Sequence, residues 1–484
     1  MDSSTITHTP PIPKGRGSIP GAPVLDMGPR SRSSLSQAFK APGVWIPPLI
    51  AVAALVFVMT LVYFGSLVDP AGHLRGLPVG IVNQDTGAMV GSRHVNFGQE
   101  VAAGLEAAPA LRRRLALRAG DLTATEQRMN LGKQYAAVVI PAGFTTSLLS
   151  IGDRTTPPGL PRLRTTIDLV TNPRAGTVGV ELATGILEPA LASASAQIAR
   201  SLRASSPGRP SVAVETLLAD PVSVAAVPYR PLPRHTALGL SAFYIALLTT
   251  LAGLLGGIVV HTSIDNVLGY AAIEIGPRWR QRQPVSISRW HTLLAKWTLL
   301  VPLTVILTGL MLLAAVWLLG MNAPHFAELW LLTWFAATVV GIGTLVLLAA
   351  LGTLGQVIAL LVFIYLALAS SGGTVPLQAL PSFLRFLAGF EPLRQIAAGT
   401  RSILYFNATG AAGLTRAFLA TAIGLGFWLS LGAAVTNWYD RKGFSRVAPA
   451  LLDYIDHAIR GYHEQHTGAA GPKNIPADPS AEHA

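Results

Sequence analysis

The stretch AELWLLTWFAATVVGIGTLVLLAALGTLGQVIALLVFIYLALASSG, residues 327 to 372, decides how many times the chain crosses a membrane. Read as one helix at about 1.5 Å per residue it would be roughly 70 Å long, about twice the span of a bilayer. Gly352-Thr353-Leu354-Gly355 supplies the break, so the stretch reads as two spans, 327 to 350 and 354 to 372, joined by a tight inner turn. Four further runs reach the roughly 20 apolar residues that a crossing needs: 44 to 67, 236 to 260, 292 to 320 and 414 to 438. The expected fold is an α-helical polytopic membrane protein with six transmembrane helices and an α+β extracytoplasmic domain inserted between the first and second.

Composition agrees with a bilayer as solvent. The 484 residues are 51% hydrophobic and only 12% charged, where a water-soluble chain would carry about twice that charge. The formal net charge is +12, and its placement sets orientation through the Lys and Arg of short flanks. Lys14, Arg16, Arg30, Arg32 and Lys40 precede the first span, Arg278, Arg280, Arg282 and Arg289 lie between the second and third, and Arg441, Lys442 and Arg446 follow the sixth. All three groups read as cytoplasmic, which puts both termini on the cytoplasmic side of the plasma membrane. Trp45, Trp290, Trp330 and Trp438 fall near span ends, as interfacial anchors do. The first span reads as a permanent anchor, because some forty residues precede it and its apolar run exceeds a signal-peptide core. With no cysteine, an outward domain has no disulfide to staple it and no thiolate nucleophile exists.

This divides the chain into a basic, disordered cytoplasmic tail (1 to 43), the first span (44 to 67) and an extracytoplasmic domain (68 to 235). A five-helix membrane domain (236 to 438) and a cytoplasmic tail (439 to 484) follow. Within that tail, residues 450 to 465 have helix-spaced Leu451, Leu452, Ile455 and Ile459. In the outward domain Val79 to Val82, Tyr135 to Ile140 and Thr165 to Val170 read as strands, with an Ala-, Leu- and Arg-rich helical stretch between the first two. Thr123 to Glu126 has capping-box spacing, Gly132 reads as a C-cap, and Gly176 to about Ser205 as a long returning helix.

Sites of chemistry are sparse. Asp85-Thr86-Gly87-Ala88 matches the active-site tetrapeptide of aspartic proteases, but Asn83 and Gln84 stand where apolar residues are needed and no second Asp-Thr-Gly or Asp-Ser-Gly occurs. Asn83, Asp85 and Gly87 therefore read as turn formers closing a strand, with Gly87 at positive φ. Gly132-Lys133 lacks the rest of a phosphate loop, and the histidines have no zinc spacing. The basic residues track the inner membrane surface without the interleaved aromatics of a nucleic-acid face. No enzyme activity, metal or cofactor is expected, and no nucleic acid partner. None of the six spans has an acid near its middle, where an ion-driven transporter would place one. Lys296 is expected to snorkel to the cytoplasm, and Arg416 and Glu328 lie at outer ends.

Two non-span segments remain. The inner loop 261 to 290, containing DNVLGYAAIEIGPRWRQRQPVSISRW, is long enough for a short helix that docks on a cytoplasmic protein, and equally suits lipid headgroup contact. The outer segment 373 to 412 is too apolar for a solvated loop and is broken by Pro376, Pro381 and Pro392. It reads as short re-entrant-like helices in the outer leaflet, or as a layer packed on the domain above.

Three separated motifs carry a resemblance. They are LPVGIVNQDTGA (77 to 88), GKQYAAVVIPAGFTTSLLS (132 to 150), and the Pro-rich pair SSGGTVPLQALPSFLRFL and EPLRQIAAGTRSILYF between 370 and 406. In this layout the chain resembles the YhgE/Pip group (phage infection protein) and the yeast nitrosoguanidine-resistance group, membrane proteins similar to permeases of the type-2 ABC exporter superfamily. The resemblance runs over roughly residues 44 to 440, and the chain lacks the long coiled-coil insertion of the larger phage-receptor members. It implies a half-transporter that forms a homo- or heterodimer and is driven by a separate cytoplasmic ATPase. The coupling loop would be centred on Gly269, Tyr270, Glu274, Arg278, Arg280 and Arg282, with Pro376, Pro381, Pro392 and Arg401 in the segment before the last helix. An export permease for an amphipathic or lipid-like substrate or drug is the leading expectation. A non-transporting scaffold or receptor for an envelope component is the alternative, and a membrane-anchored protease the third.

Overall fold

The computed structural model describes residues 42–152, 164–205, 212–271, 273–275, 278–280, 282, 284–444 and 446. The tail expected over 1 to 43 lies outside them except at its last two positions, and the helix expected over 450 to 465 lies outside them entirely. Helix α1, Pro42–Leu67, covers the expected first span, and its portion Val52–Leu67 is a shorter apolar helix.

Beyond α1 the chain forms a sheet domain. Strands β1 (Leu77–Asn83), β4 (Leu115–Ala119), β5 (Ala136–Ile140), β6 (Thr165–Thr171) and β7 (Val222–Pro228) make a five-stranded sheet in the order β4-β1-β5-β6-β7. β1 runs parallel to β4 and β5, β6 parallel to β7, and β5 antiparallel to β6. A separate ribbon pairs β2 (Ala88–Val90) with β3 (Arg93–Val95). Central β5, AAVVI, is buried at every position, as a strand covered on both faces must be. One face packs on helices α2 (Phe97–Ala107), α3 (Phe144–Gly152) and α4 (Thr177–Ser205). Ala183, Leu187 and Leu191 of α4 recur at helical spacing in the same core as Leu77, Val79, Ile81, Val138 and Ile140. The other face carries Val82, Ala137 and Val139 against Met129.

Three expected strands and the long helix stand near their expected positions, whereas β4 and β7 were not legible. Both are edge strands: LALRA continues the preceding Leu- and Arg-rich helical run, and β7 ends on Pro228. The helix Leu122–Asn130 is not opened by the Thr123–Glu126 capping box. Asp121 is its N-cap, accepting Ala124 N–H at 2.9 Å, because its short carboxylate reaches a free N–H of the first turn from just outside the helix. Gly132, at φ +64°, follows the helix end as expected.

Among the described residues five helices are long and apolar enough to cross a membrane: α5 (Ser241–Val267), α6 (Arg289–Leu312, continuing to Leu318), α7 (Phe326–Leu351), α8 (Thr353–Leu360, widening through a π turn and reaching Ser370) and Leu414–Arg441. Gly352 separates α7 from α8 at φ +59°, the break on which the span count turns. Helix α9, Pro392–Tyr405, precedes α10 (Leu414–Arg441). α7 is the central helix, and α5 crosses it at Gly253 and Gly257, one small residue every four. A Cβ on Gly257 would stand 3.0 Å from Gly341 O, and one on Gly341 2.9 Å from Gly253 O. Backbone thus packs directly on backbone. Buried threonines satisfy themselves by bonding the carbonyl four residues back, as Thr249 does to Ile245 O, while Thr304 and Thr338 join α6 to α7 at 2.7 Å.

Candidate functional site

α5 extends seven residues beyond the expected span end at 260, so His261 and Asp265 belong to its last two turns rather than to a loop. They lie one turn apart on one face. Lys296 comes from the second turn of α6 and Arg446 from the chain after α10. Asp265 Oδ1 accepts from Lys296 Nζ at 2.6 Å, and Arg446 makes a two-pronged contact with both carboxylate oxygens at 2.7 Å each. His261 Nε2 lies 3.2 Å from Asp265 Oδ2, and its Nδ1 lies 3.0 Å from Lys296 Nζ. An ammonium only donates, so Nδ1 is the acceptor and the ring proton sits on Nε2, pointing at Asp265. Lys296 therefore does not snorkel: its side chain is 3% exposed, because a buried carboxylate lies closer than the water it would otherwise reach.

A second set of bonds closes the same end. Asp440 of α10 accepts Arg289 N–H at 2.9 Å and Trp290 N–H at 3.1 Å, capping α6. Arg289 donates from Nε to Phe444 O at 2.7 Å and lies 5.0 Å over the Tyr439 ring, while Tyr439 O–H reaches Ala350 O of α7 at 2.8 Å. A cavity of about 480 Å³ lies among His261, Arg289, Thr292, Lys296, Tyr439 and Arg446.

The expected coupling residues leave from this cluster. Gly269, at φ +75°, turns the chain out of α5. Tyr270 packs its ring 4.6 Å beneath Arg446 and donates from its hydroxyl to Val285 O at 2.6 Å, and Val285 N–H donates to Leu268 O at 3.0 Å. Between these clamps the described residues are not helical. β8 (Ile273–Ile275) pairs antiparallel with β9 (Arg278–Arg280), placing Glu274 opposite Trp279 and Ile275 opposite Arg278. The β-branched and aromatic residues on either side of Gly276-Pro277 favour a ribbon over the short helix expected there. Arg282 follows and is exposed.

The remaining predicted residues sit elsewhere. Asp85 is buried, and its carboxylate takes four hydrogen bonds: Thr145 Oγ1 at 2.5 Å, Gly98 N–H and Thr145 N–H each at 3.2 Å, and Gly87 N–H at 3.3 Å. It stands at the starts of α2 and α3, where a negative charge is favoured. Asn83 Oδ1 accepts Asp85 N–H at 3.0 Å and Gly87 adopts φ +77°. Thr145 belongs to the second of the quoted motifs, so the first two meet at Asp85. Gly132 of the second lies under the Phe406 ring of the third, where a Cβ would come 2.9 Å from the ring.

Pro376 and Pro381 precede the short turns Leu377–Ala379 and Ser382–Leu387, and Pro392 opens α9. Arg401 lies on α9 near Tyr135, whose hydroxyl burial pushes above its ordinary pKa. Sequence reading missed Glu391, which caps α9 by accepting Leu393 N–H at 3.0 Å and Arg394 N–H at 2.9 Å. Burial raises its carboxyl to about 7, against the pull of those two bonds and of the Arg394 charge. Asp265, Asp440, Thr145 and Arg446 were also missed as partners. The four-residue spacing of His261 and Asp265 was the one available signal. Among the described residues no group of three His, Asp or Glu side chains could hold a metal ion.

These elements define a multi-helix protein with five apolar helices of membrane-crossing length and an α/β sheet domain near its N-terminus. Residues 48–423 match the family model "Protein of unknown function (DUF3533)", and the chain belongs to that family. Among solved structures it is similar to "Crystal structure of a domain of a putative ABC type-2 transporter from Thermotoga maritima MSB8", at 22% identity and TM-score 0.22, over 31% of this chain and 85% of that one. A likeness that slight carries neither fold nor function. No curated protein matches the chain.

Proposed function

We propose that the protein is the membrane subunit of an ABC-type exporter in the plasma membrane, moving an amphipathic or lipid-like substrate or drug outward and driven by a separate cytoplasmic ATPase as part of a dimer. The observation that carries this reading is the β8–β9 ribbon rooted on the Asp265 cluster. Tyr270, Arg446, Asp265 and Lys296 join the ribbon's base to α5, α6 and the chain after α10, so a push on the ribbon reaches α5 and α6 through short, charge-assisted bonds. In this reading the ribbon and both termini face the cytoplasm, the sheet domain lies outside, and Glu274, Arg278, Arg280 and Arg282 meet the ATPase. The YhgE/Pip-like arrangement of the three motifs supports the same assignment. Substituting Arg278→Glu together with Arg280→Glu is expected to abolish export while leaving membrane insertion normal. A scaffold or receptor would keep its function in that variant, and such an outcome would overturn the exporter reading.

A further inference from the structure

We propose that the cavity between the sheet domain and the near ends of the apolar helices binds a phosphate-bearing anion, of the kind carried by a lipid headgroup. The cavity measures about 550 Å³, with Arg174, Tyr229 and Arg230 on the sheet-domain side and Asn322, Asn407 and Thr409 on the helix side. No carboxylate lines it. Neither guanidinium is paired with an acid among the described residues, whose ion pairs lie elsewhere.

The walls are rich in unspent donors. A guanidinium carries five N–H donors. Arg174 uses three, two on Pro231 O and one on Tyr405 O, and Arg230 makes only a ring contact with Tyr229 at 5.6 Å. Tyr229 accepts from Asn130 Nδ2 at 3.0 Å, which leaves its own O–H to donate. Asn407, which lines the cavity, turns its Oδ1 to His325 Nε2 at 2.8 Å, which leaves its amide N–H groups as donors. Burial, and then the like charge of Arg230, lower the pKa of Arg174, the condition of a cation lacking its counter-ion. A tetrahedral oxyanion, with several acceptor oxygens and a negative charge, answers this wall better than a neutral ligand does.

Position argues for a headgroup. Asn322 lies four residues past the end of α6 at Leu318, and Asn407 and Thr409 lie just before α10 begins at Leu414. These are the levels at which a bilayer's phosphates meet a crossing helix. One flanking loop is also held in a costly conformation. Of the positive-φ residues other than glycine among those described, Asn407 lines the cavity and Ala408 follows it directly.

The site deepens the exporter reading by naming its substrate class, a phosphate-bearing amphiphile, and rests on that reading for its membrane level. The test is a titration of the purified full-length protein in neutral detergent with short-chain phosphatidylglycerol, short-chain diacylglycerol and inorganic phosphate. Saturable binding of phosphatidylglycerol is expected, weakened about tenfold or more by Arg230→Gln, in line with loss of a charge-assisted bond. Arg174→Gln with Arg230→Gln should remove it, and Arg174→Lys should retain part. Because Arg174 also holds two loops, exposed Arg230 is the decisive variant. Inorganic phosphate that binds equally well and competes would support the site and assign it to free phosphate. Equal binding of diacylglycerol, or unchanged affinity in a folded Arg230→Gln protein, would overturn it. The titration needs neither an ATPase nor transport. Loss of coupling with binding intact refutes only the exporter reading, and loss of binding with coupling intact refutes only this site.

Discussion

At one end of α6, Lys296 and Arg446 converge on Asp265, and each charge there has an opposite within 3 Å. At the other end Arg174 and Arg230 face a larger cavity without a carboxylate. The two clusters use the same cations to opposite effect. A charge neutralised inside the protein fixes geometry, and a charge left open is available to something else. Two further sites complete the contrast: Asp85 is compensated mainly by backbone N–H groups, and Glu391, raised to about 7 by burial, accepts two backbone N–H groups and takes up a proton more readily than an ordinary carboxylate.

The largest effect is expected where a buried pair is broken. Asp265→Ala would leave Lys296 and Arg446 facing each other, at a cost of about 3–5 kcal/mol. Adding Lys296→Met should recover part of it, and thermal unfolding of the purified protein reads both. An Asp265→Ala protein as stable as the parent would mean the cluster does not hold the helices together.

Next is Asp85→Ala, which orphans the starts of α2 and α3 and should cost roughly 2–4 kcal/mol. Hydrogen exchange in the sheet domain is the suitable probe, with Gly98 and Thr145 amides deprotected first. Protection unchanged at those two amides would show that the carboxylate is dispensable.

Glu391 gives a pH signature. Its carboxyl titrates at about 7 in the folded chain and near 4.5 unfolded, so folding favours the protonated form. The stabilising contribution is complete below pH 4.5 and is lost as pH rises through 7, a fall of about 2 kcal/mol between pH 5 and 7.5. Glu391→Gln should flatten that part of the stability–pH curve, and a variant with the parent's slope would assign the loss to other groups. The smallest change is expected for Arg230→Gln, whose stability should stay within about 0.5 kcal/mol while its anion binding falls.

Much of this architecture was readable from pattern. Apolar runs marked the five long helices because crossing length is a demand on continuous sequence, and Gly352 marked the break because only glycine enters φ +59° without strain. The Asn83–Gly87 turn was visible for the same reason. The edge strands β4 and β7 were hidden because half-exposed strands carry weak alternation, and LALRA sits in a run that scores as helix. The Asp265 cluster was hidden for a different reason. Counting apolar residues stops α5 at 260, since it cannot know that Lys296, 31 residues on, and Arg446, 181 residues on, will neutralise Asp265. Long-range charge compensation leaves no local trace. The donor-lined cavity was invisible likewise, since Arg174, Arg230, Asn322 and Asn407 come from four separate segments.

The most direct test of the exporter account is a photo-crosslinker at Arg282, exposed beside the β8–β9 ribbon, in the full-length protein in its native membrane. The account predicts a crosslink to an ATP-hydrolysing subunit that disappears in the Arg278→Glu, Arg280→Glu variant together with export. Crosslinks confined to lipid or to the chain itself, in cells where export is intact, would contradict it.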